Sequence, residues 1–360
     1  MHKEVVRMKR TARILLCCFL LSLFVLAGCR QEEAPLPDAG TEEPAGPADS
    51  TELKISDYFP ILQNARYVYQ GEGNEYASYS VYNDYTAENK VQQRVDNGGT
   101  VMAKVIAITE GHLLQTFSSG ESYYREDHLD AAGAEEILLM EPLAAGTAWT
   151  LADGRTRTIA NLSVAVSTPA GDYDALEVTT AGNGDTATHY YAKDVGLVKA
   201  VYVSGESEIS STLSAIENDV PLTQRIRFFY PNVDEDRIYY ADREVDFRTN
   251  DVTKDVIAGA YQEVPPGVEK VFSVNTAVNS LYRGSDGLVY LDLNQAFLTE
   301  MNAGSAYEAM ILDCIADTFG SYYQTDKVVL TIEGGPYLSG HFAFGEGEYL
   351  EADVTDAAPL

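Results

Sequence analysis

The chain has 360 residues and a formal net charge of −30, with 55 Asp and Glu against 25 Lys and Arg. The first 28 residues hold five Lys/Arg and one Glu, so the remainder carries −34. That balance argues against a nucleic-acid partner and against direct adhesion to anionic lipid, and the length suits two domains of ordinary size. Tyrosine is abundant (24) and tryptophan nearly absent (Trp149 alone), a composition that fits strands with half-exposed faces.

The chain opens with Lys3, Arg7, Lys9, Arg10 and Arg13, then an apolar run from Ile14 to Leu26. Charged segment, apolar segment and small residues in that order predict a secretory signal peptide. The run is broken by Cys17-Cys18 and Ser22 and is shorter than the ~20 residues a membrane-spanning helix needs. Leu26-Ala27-Gly28-Cys29 resembles the lipobox of bacterial lipoproteins. The resemblance implies cleavage after Gly28, lipid on Cys29 and retention on the outer side of a membrane. Cys314 would then be the remaining thiol, leaving no pair for an intramolecular disulfide.

Residues 29–50 hold the lipidated cysteine and then RQEEAPLPDAGTEEPAGPADS, rich in proline and acid with one large apolar residue. Such a stretch cannot bury a core and is expected to be a disordered tether. Fully extended it reaches roughly 70 Å; as a coil it spans about 25 Å.

Residues 51–218 predict a mostly antiparallel β domain, curved or closed. Alternating runs recur at 66–69, 100–108, 158–166, 173–179 and 196–203, and 53–62 reads as a short helix or entry loop. Turn signals separate the runs, among them Asn97-Gly98, a strong hairpin signal. Asp57-Tyr58-Phe59-Pro60, Thr168-Pro169-Ala170-Gly171 and the segment Tyr190 to Lys199 together resemble a β-rich domain of bacterial lipoproteins. There the last of these phrases closes the sheet.

The pattern changes after Asp219-Val220-Pro221-Leu222. Strands are expected at 225–230, 238–247, 271–281, 288–293 and 327–333. A helix capped by Asn250 or Asp251 runs to about Tyr261. A second follows the capping box Ser305-x-x-Glu308, with Tyr307, Met310, Ile311, Cys314, Ile315, Thr318 and Phe319 at three-four spacing. The order β-β-α-β-β-α-β predicts a small α/β sandwich over 222–345, helices on one face of a mixed sheet. The whole is α+β. The acidic end, 346–360, is expected to be a disordered tail.

Residues 222 to about 340 resemble the GerMN (germane) domain. The matching pieces are Arg227-Phe228-Phe229-Tyr230-Pro231, the Pro266-Gly267 step, Gly287 to Leu293 with Phe297-Leu298, Gly304 to Glu308, and Val328 to Gly335. The usual Gly-Gly-Ser is Ala303-Gly304-Ser305 here. The resemblance implies an extracytoplasmic binding or assembly module, linked to sporulation or spore germination, similar in fold to ring-building modules. It brings no catalytic residues.

The chemistry of the remaining residues is sparse. His112, His128, His189 and His341 are far apart, and no zinc motif or paired-cysteine motif is present. No cofactor or metal is expected. Asn232-x-Asp234-x-Asp236 opens like a calcium loop, but Arg237 and Arg243 stand where Gly and Glu are required. Cys314 lies mid-stripe on a helix and reads as a buried thiol. His341 reads as a loop histidine. Tyr322-Tyr323 and Tyr239-Tyr240 are candidate partner contacts, with core or edge packing as the alternative.

These readings describe a non-enzymatic lipoprotein held on the membrane by Cys29, binding an envelope protein or a cell-wall polymer. The alternative is a solute-binding or hydrolytic lipoprotein with a pocket in the β domain.

Overall fold

The structure is a computed structural model describing residues 53–182 and 184–360. The lipobox at Gly28 and Cys29 and the tether lie outside these residues. Among the described residues, no helix is long and apolar enough to cross a membrane.

Twelve strands form one antiparallel sheet: β1 (Ala65–Glu72), β2 (Tyr79–Ala87), β3 (Lys90–Asp96), β4 (Val101–Thr109), β5 (His112–Ser119), β6 (Glu136–Met140), β7 (Ala148–Thr150), β8 (Thr156–Thr168), β9 (Gly171–Gly182), β10 (Asp185–Ala192), β11 (Gly196–Ser204) and β12 (Ser207–Asn218). The strand order is β6-β5-β4-β3-β2-β1-β12-β11-β10-β9-β8-β7. The first and last strands therefore pair, and the sheet is broken only where β6 faces β7. Side chains bridge that seam. The Ile137 carbonyl accepts from Trp149 Nε1 (3.1 Å) and an Arg157 guanidinium nitrogen (2.7 Å), and Arg157 also pairs with Glu136 (2.7 Å). The result is a nearly closed barrel, with the seam's backbone groups partly satisfied by side chains. Register shifts in β1, β2, β4, β8 and β10 supply local bends.

The segment from Tyr190 to Lys199 does not close this sheet, as its resemblance implied. It is the β10–β11 hairpin, and closure falls to β1 and β12. The entry segment folds as α1 (Ile55–Tyr58), whose Ile55 and Tyr58 pack beside Leu143 and Trp149.

The C-terminal domain contains β13 (Leu222–Asn232), β14 (Arg237–Phe247), α2 (Thr253–Gln262), β15 (Val278–Arg283), β16 (Val289–Leu293), α3 (Ala296–Met301), α4 (Ser305–Tyr323), β17 (Lys327–Ile332), β18 (Gly335–Pro336), β19 (Leu350–Glu351) and β20 (Ala358–Pro359). The expected mixed sheet divides in two. One sheet is β13-β14-β20; the other is β15-β16-β17-β18, with β19 also on β17. Helix α4 packs on both β13 and β17. This explains why β13 buries consecutive residues, Phe228, Phe229 and Tyr230, instead of alternating. Its free edge is satisfied from the helices: Phe229 N donates to Thr318 Oγ1 (3.1 Å), and Tyr261 Oη donates to the Phe229 carbonyl (2.7 Å).

Four sequence expectations are corrected here. Residues 271–281 are not one strand: Ser273 and Thr276 close a side-chain turn, Val274 is 83% exposed, and the strand begins at Val278. Helix α2 starts at Thr253 with Val252 at its cap, because Asn250 and Asp251 are engaged elsewhere. The Ser305/Glu308 capping box does not form. Ser305 is already inside the helix, and Glu308 turns inward to Tyr337 and His341. The acidic end is ordered: β19 pairs with β17, β20 with β14, and Asp353 N donates to Asp317 Oδ1 (2.8 Å). A Cβ on Gly320 would meet Ala352 Cβ at 2.9 Å, so this glycine admits the C-terminal segment.

The two domains form one body through the loop 120–135, which lies over the outer face of β2–β4. Arg125, fully buried, donates Nε to Asp84 Oδ1 and its terminal nitrogens to the carbonyls of Asp84, Arg248 and Asp251. Its guanidinium lies 4.3 Å from the Tyr85 ring centroid. Arg94 binds the other Asp84 oxygen (3.2 Å) and the carbonyls of Ser122 and Tyr124. Tyr82 Oη reaches the Phe247 carbonyl (3.2 Å), and Asn64 and Thr249 exchange two hydrogen bonds (2.7 and 2.9 Å).

Removing one member of a buried ion pair typically costs about 3–5 kcal/mol. Arg125→Met should lower the unfolding free energy by that order, read as a fall in the urea midpoint, and unfolding followed at barrel and C-terminal probes should separate into two transitions. Burial is the main force pushing the Asp317 carboxyl up, to about 6; the Asp353 amide opposes it, and Asp313 and Asp353 reinforce it. The folded chain thus holds a proton that the unfolded chain releases, so this group stabilises below its ordinary value and loses that effect as pH rises through about 6. Asp317→Asn keeps the acceptor for Asp353 N. It should raise the melting temperature at pH 7.5 by about 2–4 °C, the equivalent of ~1 kcal/mol, and by less at pH 4.5.

Candidate functional site

The barrel encloses a cavity of about 320 Å³, at the lower end of the ~300–1,000 Å³ usual for small-molecule sites. Strand alternation builds its wall. Tyr67 and Tyr69 project from β1, and Tyr79 and Val81 from β2. Gln93 comes from β3, Lys104 and Ile106 from β4, and Gln115 from β5. His189 and Tyr191 complete the wall from β10. Phe59, Pro60, Val195 and Gly196 line one end. That rim joins two of the phrases picked out in the sequence, since Asp194 N donates to the Asp57 carbonyl. Gly196 sits there at φ +100°, a conformation that favours glycine, 3.9 Å from Pro60 and the Tyr58 carbonyl.

The inner wall is polar for a barrel interior. Tyr69 and Tyr79 stack at 4.5 Å, and Tyr69 Oη is held by the Leu197 carbonyl (2.8 Å). Gln93 donates to Asn83 (3.2 Å). Among the described residues, the hydroxyls of Tyr67, Tyr79 and Tyr191, the His189 ring and Lys104 Nζ make no side-chain hydrogen bond. Lys104 has no carboxylate within 4.0 Å either. The nearby acid, Glu136, is already paired with Arg157.

Electrostatics follow from this seclusion. Burial lowers the Lys104 ammonium, with Glu136 opposing. Burial, then the charge of Arg157, holds His189 down to about 4; Glu136 opposes and Lys104 adds to the effect. Burial pushes the Tyr67 and Tyr191 phenols up to about 12 and raises Tyr69 and Tyr79 as well. At neutral pH the lumen therefore presents a neutral imidazole, neutral phenols and one amine. No carboxylate, serine, threonine or cysteine lines it.

A second polar cluster lies in the C-terminal domain. Buried Glu308 accepts from Tyr337 Oη (2.7 Å) and lies 2.6 Å from His341 Nδ1. Burial pushes its carboxyl up, but hydrogen bonds from Ser339, Tyr337 and His341 win and hold it below the ordinary value. Ser339 Oγ is occupied by the backbone N–H groups of His341 and Phe342, so the cluster is a loop clasp.

The tyrosine pairs chosen from the sequence fall elsewhere. Tyr323 is 3% exposed and packs on Tyr124 at 4.9 Å. Tyr322 Oη accepts from Arg125 N (3.0 Å) and donates to Gln224 (3.1 Å). Both join the two domains to each other, which corrects their assignment as partner contacts. Tyr239 donates to Glu235, and Tyr240 lies under Arg227 (3.9 Å to the ring); both pair with β20. Cys314 is buried and its thiol is pushed up by that burial. Asn232 Oδ1 accepts from Glu235 N (3.0 Å), a turn contact. Among the described residues, no His, Cys, Asp and Glu cluster could hold a metal.

Fold and cavity define a secluded β barrel fused to a small α/β domain. Residues 227–338 are a Germane domain, matching the family described as "Sporulation and spore germination". The chain is similar to a solved structure of a presumed lipoprotein from Parabacteroides distasonis ATCC 8503, at 14% identity over 44% of this chain and 98% of that one, TM-score 0.29. It is similar also to the tandem GerMN domains of the sporulation protein GerM from Bacillus subtilis, at 17% identity over 38% of this chain and 45% of that one, TM-score 0.26. A presumed lipoprotein from Clostridium perfringens is similar at 12% identity over 36% of this chain and 93% of that one, TM-score 0.22. No curated protein matches the chain in sequence.

The unfolded chain takes up a proton on histidine near pH 6.5, while folded His189 refuses it until about 4. This residue therefore destabilises the fold as pH drops from about 6.5 toward 4. In histidine-resolved NMR titration of the folded protein, the resonance removed by His189→Gln should have its midpoint near pH 4. A midpoint near 6.5 would contradict the secluded lumen.

Proposed function

We propose that the protein is a lipid-anchored, extracytoplasmic binding or assembly module of the cell envelope that works in sporulation or germination. The Germane match over 227–338 carries this reading. The lipobox at Leu26 to Cys29 supplies the anchor, with cleavage after Gly28, and the acidic tether supplies reach. The partner is an envelope protein or cell-wall polymer, met at a surface held rigid by the Arg125 junction.

Cells fed labelled palmitate should incorporate it into this protein. Cys29→Ala should abolish the label and move the protein from the membrane fraction to the soluble one. Label retained on the variant would refute the anchor. In the native host, deletion should reduce spore yield or slow germination, and the Cys29→Ala allele should restore less than the wild type. Normal sporulation and germination of the deletion strain would refute the cellular assignment.

A further inference from the structure

We propose that the barrel lumen is a binding site for a small organic anion: one acidic headgroup facing Lys104, and a flat or aromatic body lying against the stacked tyrosines. This goes beyond the reading above and does not depend on the anchor, the Germane domain or sporulation.

Three observations support it. First, the cavity is bounded by inward side chains from seven strands and is capped at one end by Phe59 and Pro60, so it is a product of the fold and not a surface crease. Second, Lys104 stands alone in it. The buried cations of the barrel wall's outer side and seam have partners: Arg94 and Arg125 pair with Asp84, and Arg157 with Glu136. Lys104 Nζ has neither a carboxylate within 4.0 Å nor a hydrogen-bond acceptor among the described residues, and burial lowers its proton affinity. Lys104 is partly buried and its Nζ is not closed off, so the amine stands open to whatever fills the lumen. An anion on Nζ would favour its charged form, and a charge-assisted contact shielded from bulk water is strong. Third, the rest of the wall suits the other end of such a molecule. Tyr69 and Tyr79 form a stacked pair, Tyr67 and Tyr191 add ring faces, and Val81, Val95 and Ile106 add apolar surface. The phenol hydroxyls of Tyr67, Tyr79 and Tyr191 have no protein acceptor and remain neutral donors at physiological pH.

The sign of the ligand's charge follows from the lining. A cation would meet Lys104 with no carboxylate to offset it. A neutral polyol would leave the amine unanswered. A molecule with two or more separated charges would find one cation and a wall of rings. The headgroup could be a carboxylate or a sulfonate; the shared requirement is one negative charge on a compact oxyanion.

The test uses the full mature chain carrying Cys29→Ser, so that no lipid or detergent competes. Titration calorimetry compares 4-phenylbutyrate, 4-phenylbutan-1-ol and 4-phenylbutylamine, three molecules with one aromatic body and different heads. The acid should bind about tenfold or more tightly than the alcohol, the scale of one charge-assisted hydrogen bond, and the amine more weakly than either. Lys104→Met, which keeps the side-chain volume, should remove the acid's advantage and leave the alcohol within about twofold. No binding by the acid, equal binding of acid and alcohol, or a preference unchanged in Lys104→Met would each overturn the proposal. The comparison within the unsubstituted lumen decides the matter even if the variant does not fold. Failure here would leave the palmitate and sporulation outcomes untouched.

Discussion

The relation between the two domains depends on one buried cation. Arg125 comes from a loop of the barrel, yet three of its acceptors belong to the C-terminal domain, at the turn from β14 into α2: the carbonyls of Arg248 and Asp251 and the hydroxyl of Thr253. Its charge is answered by Asp84, which Arg94 shares. A buried ion pair often contributes little against an apolar substitute, but it is demanding about geometry. Here that demand is placed at the junction. Every donor of Arg125 is spent, and the aromatic faces of Tyr85 and Phe247 flank it. A Germane domain seated this way cannot turn freely on its neighbour, so a contact made by one domain is felt as a position of the other.

The barrel depends on a different economy. A twelve-stranded sheet that closes at β1–β12 and stays open between β6 and β7 would expose two strand edges. Arg157, Trp149 and Glu136 answer those edges with side chains. The charge of the same Arg157 adds to the burial that keeps His189 neutral. One residue thus contributes both to seam closure and, second to burial, to the electrostatics of the cavity.

The barrel's strands and the Germane segment were legible because both rest on local signals, alternation for the first and an ordered set of short phrases for the second; which strands pair to close the barrel was not. Nor was the lumen. Alternation tells which residues share a face but not whether that face looks into solvent or into a cavity. Lys104 breaks the apolar run Val101 to Ile108, and His189 stands between Thr188 and Tyr190; each reads as an outward residue until the sheet closes. Arg125 was invisible because its partner Asp84 is 41 residues away on another element. The capping box misled for a related reason. Glu308 had a local role available, and Tyr337 and His341, 29 and 33 residues on, offered it a better one. The acidic end misled through averaging: its composition resembles a disordered tail, but Leu350 and Ala357 pack on the C-terminal core and the backbone pairs with two sheets.

The two kinds of buried charge in this molecule are best understood against each other. Asp84, Arg94 and Arg125 are secluded and fully answered, and their role is completed within the chain. Lys104 and His189 are partly buried and face the lumen without a protein partner, in a wall otherwise made of tyrosine, glutamine and aliphatic side chains. Apolar residues at both positions would fill the space without the desolvation cost. Neutral at ordinary pH, His189 adds no second positive charge beside Lys104. The wall therefore presents a single point of positive potential among neutral donors and rings, an arrangement that discriminates by charge at one end of a guest and by shape at the other.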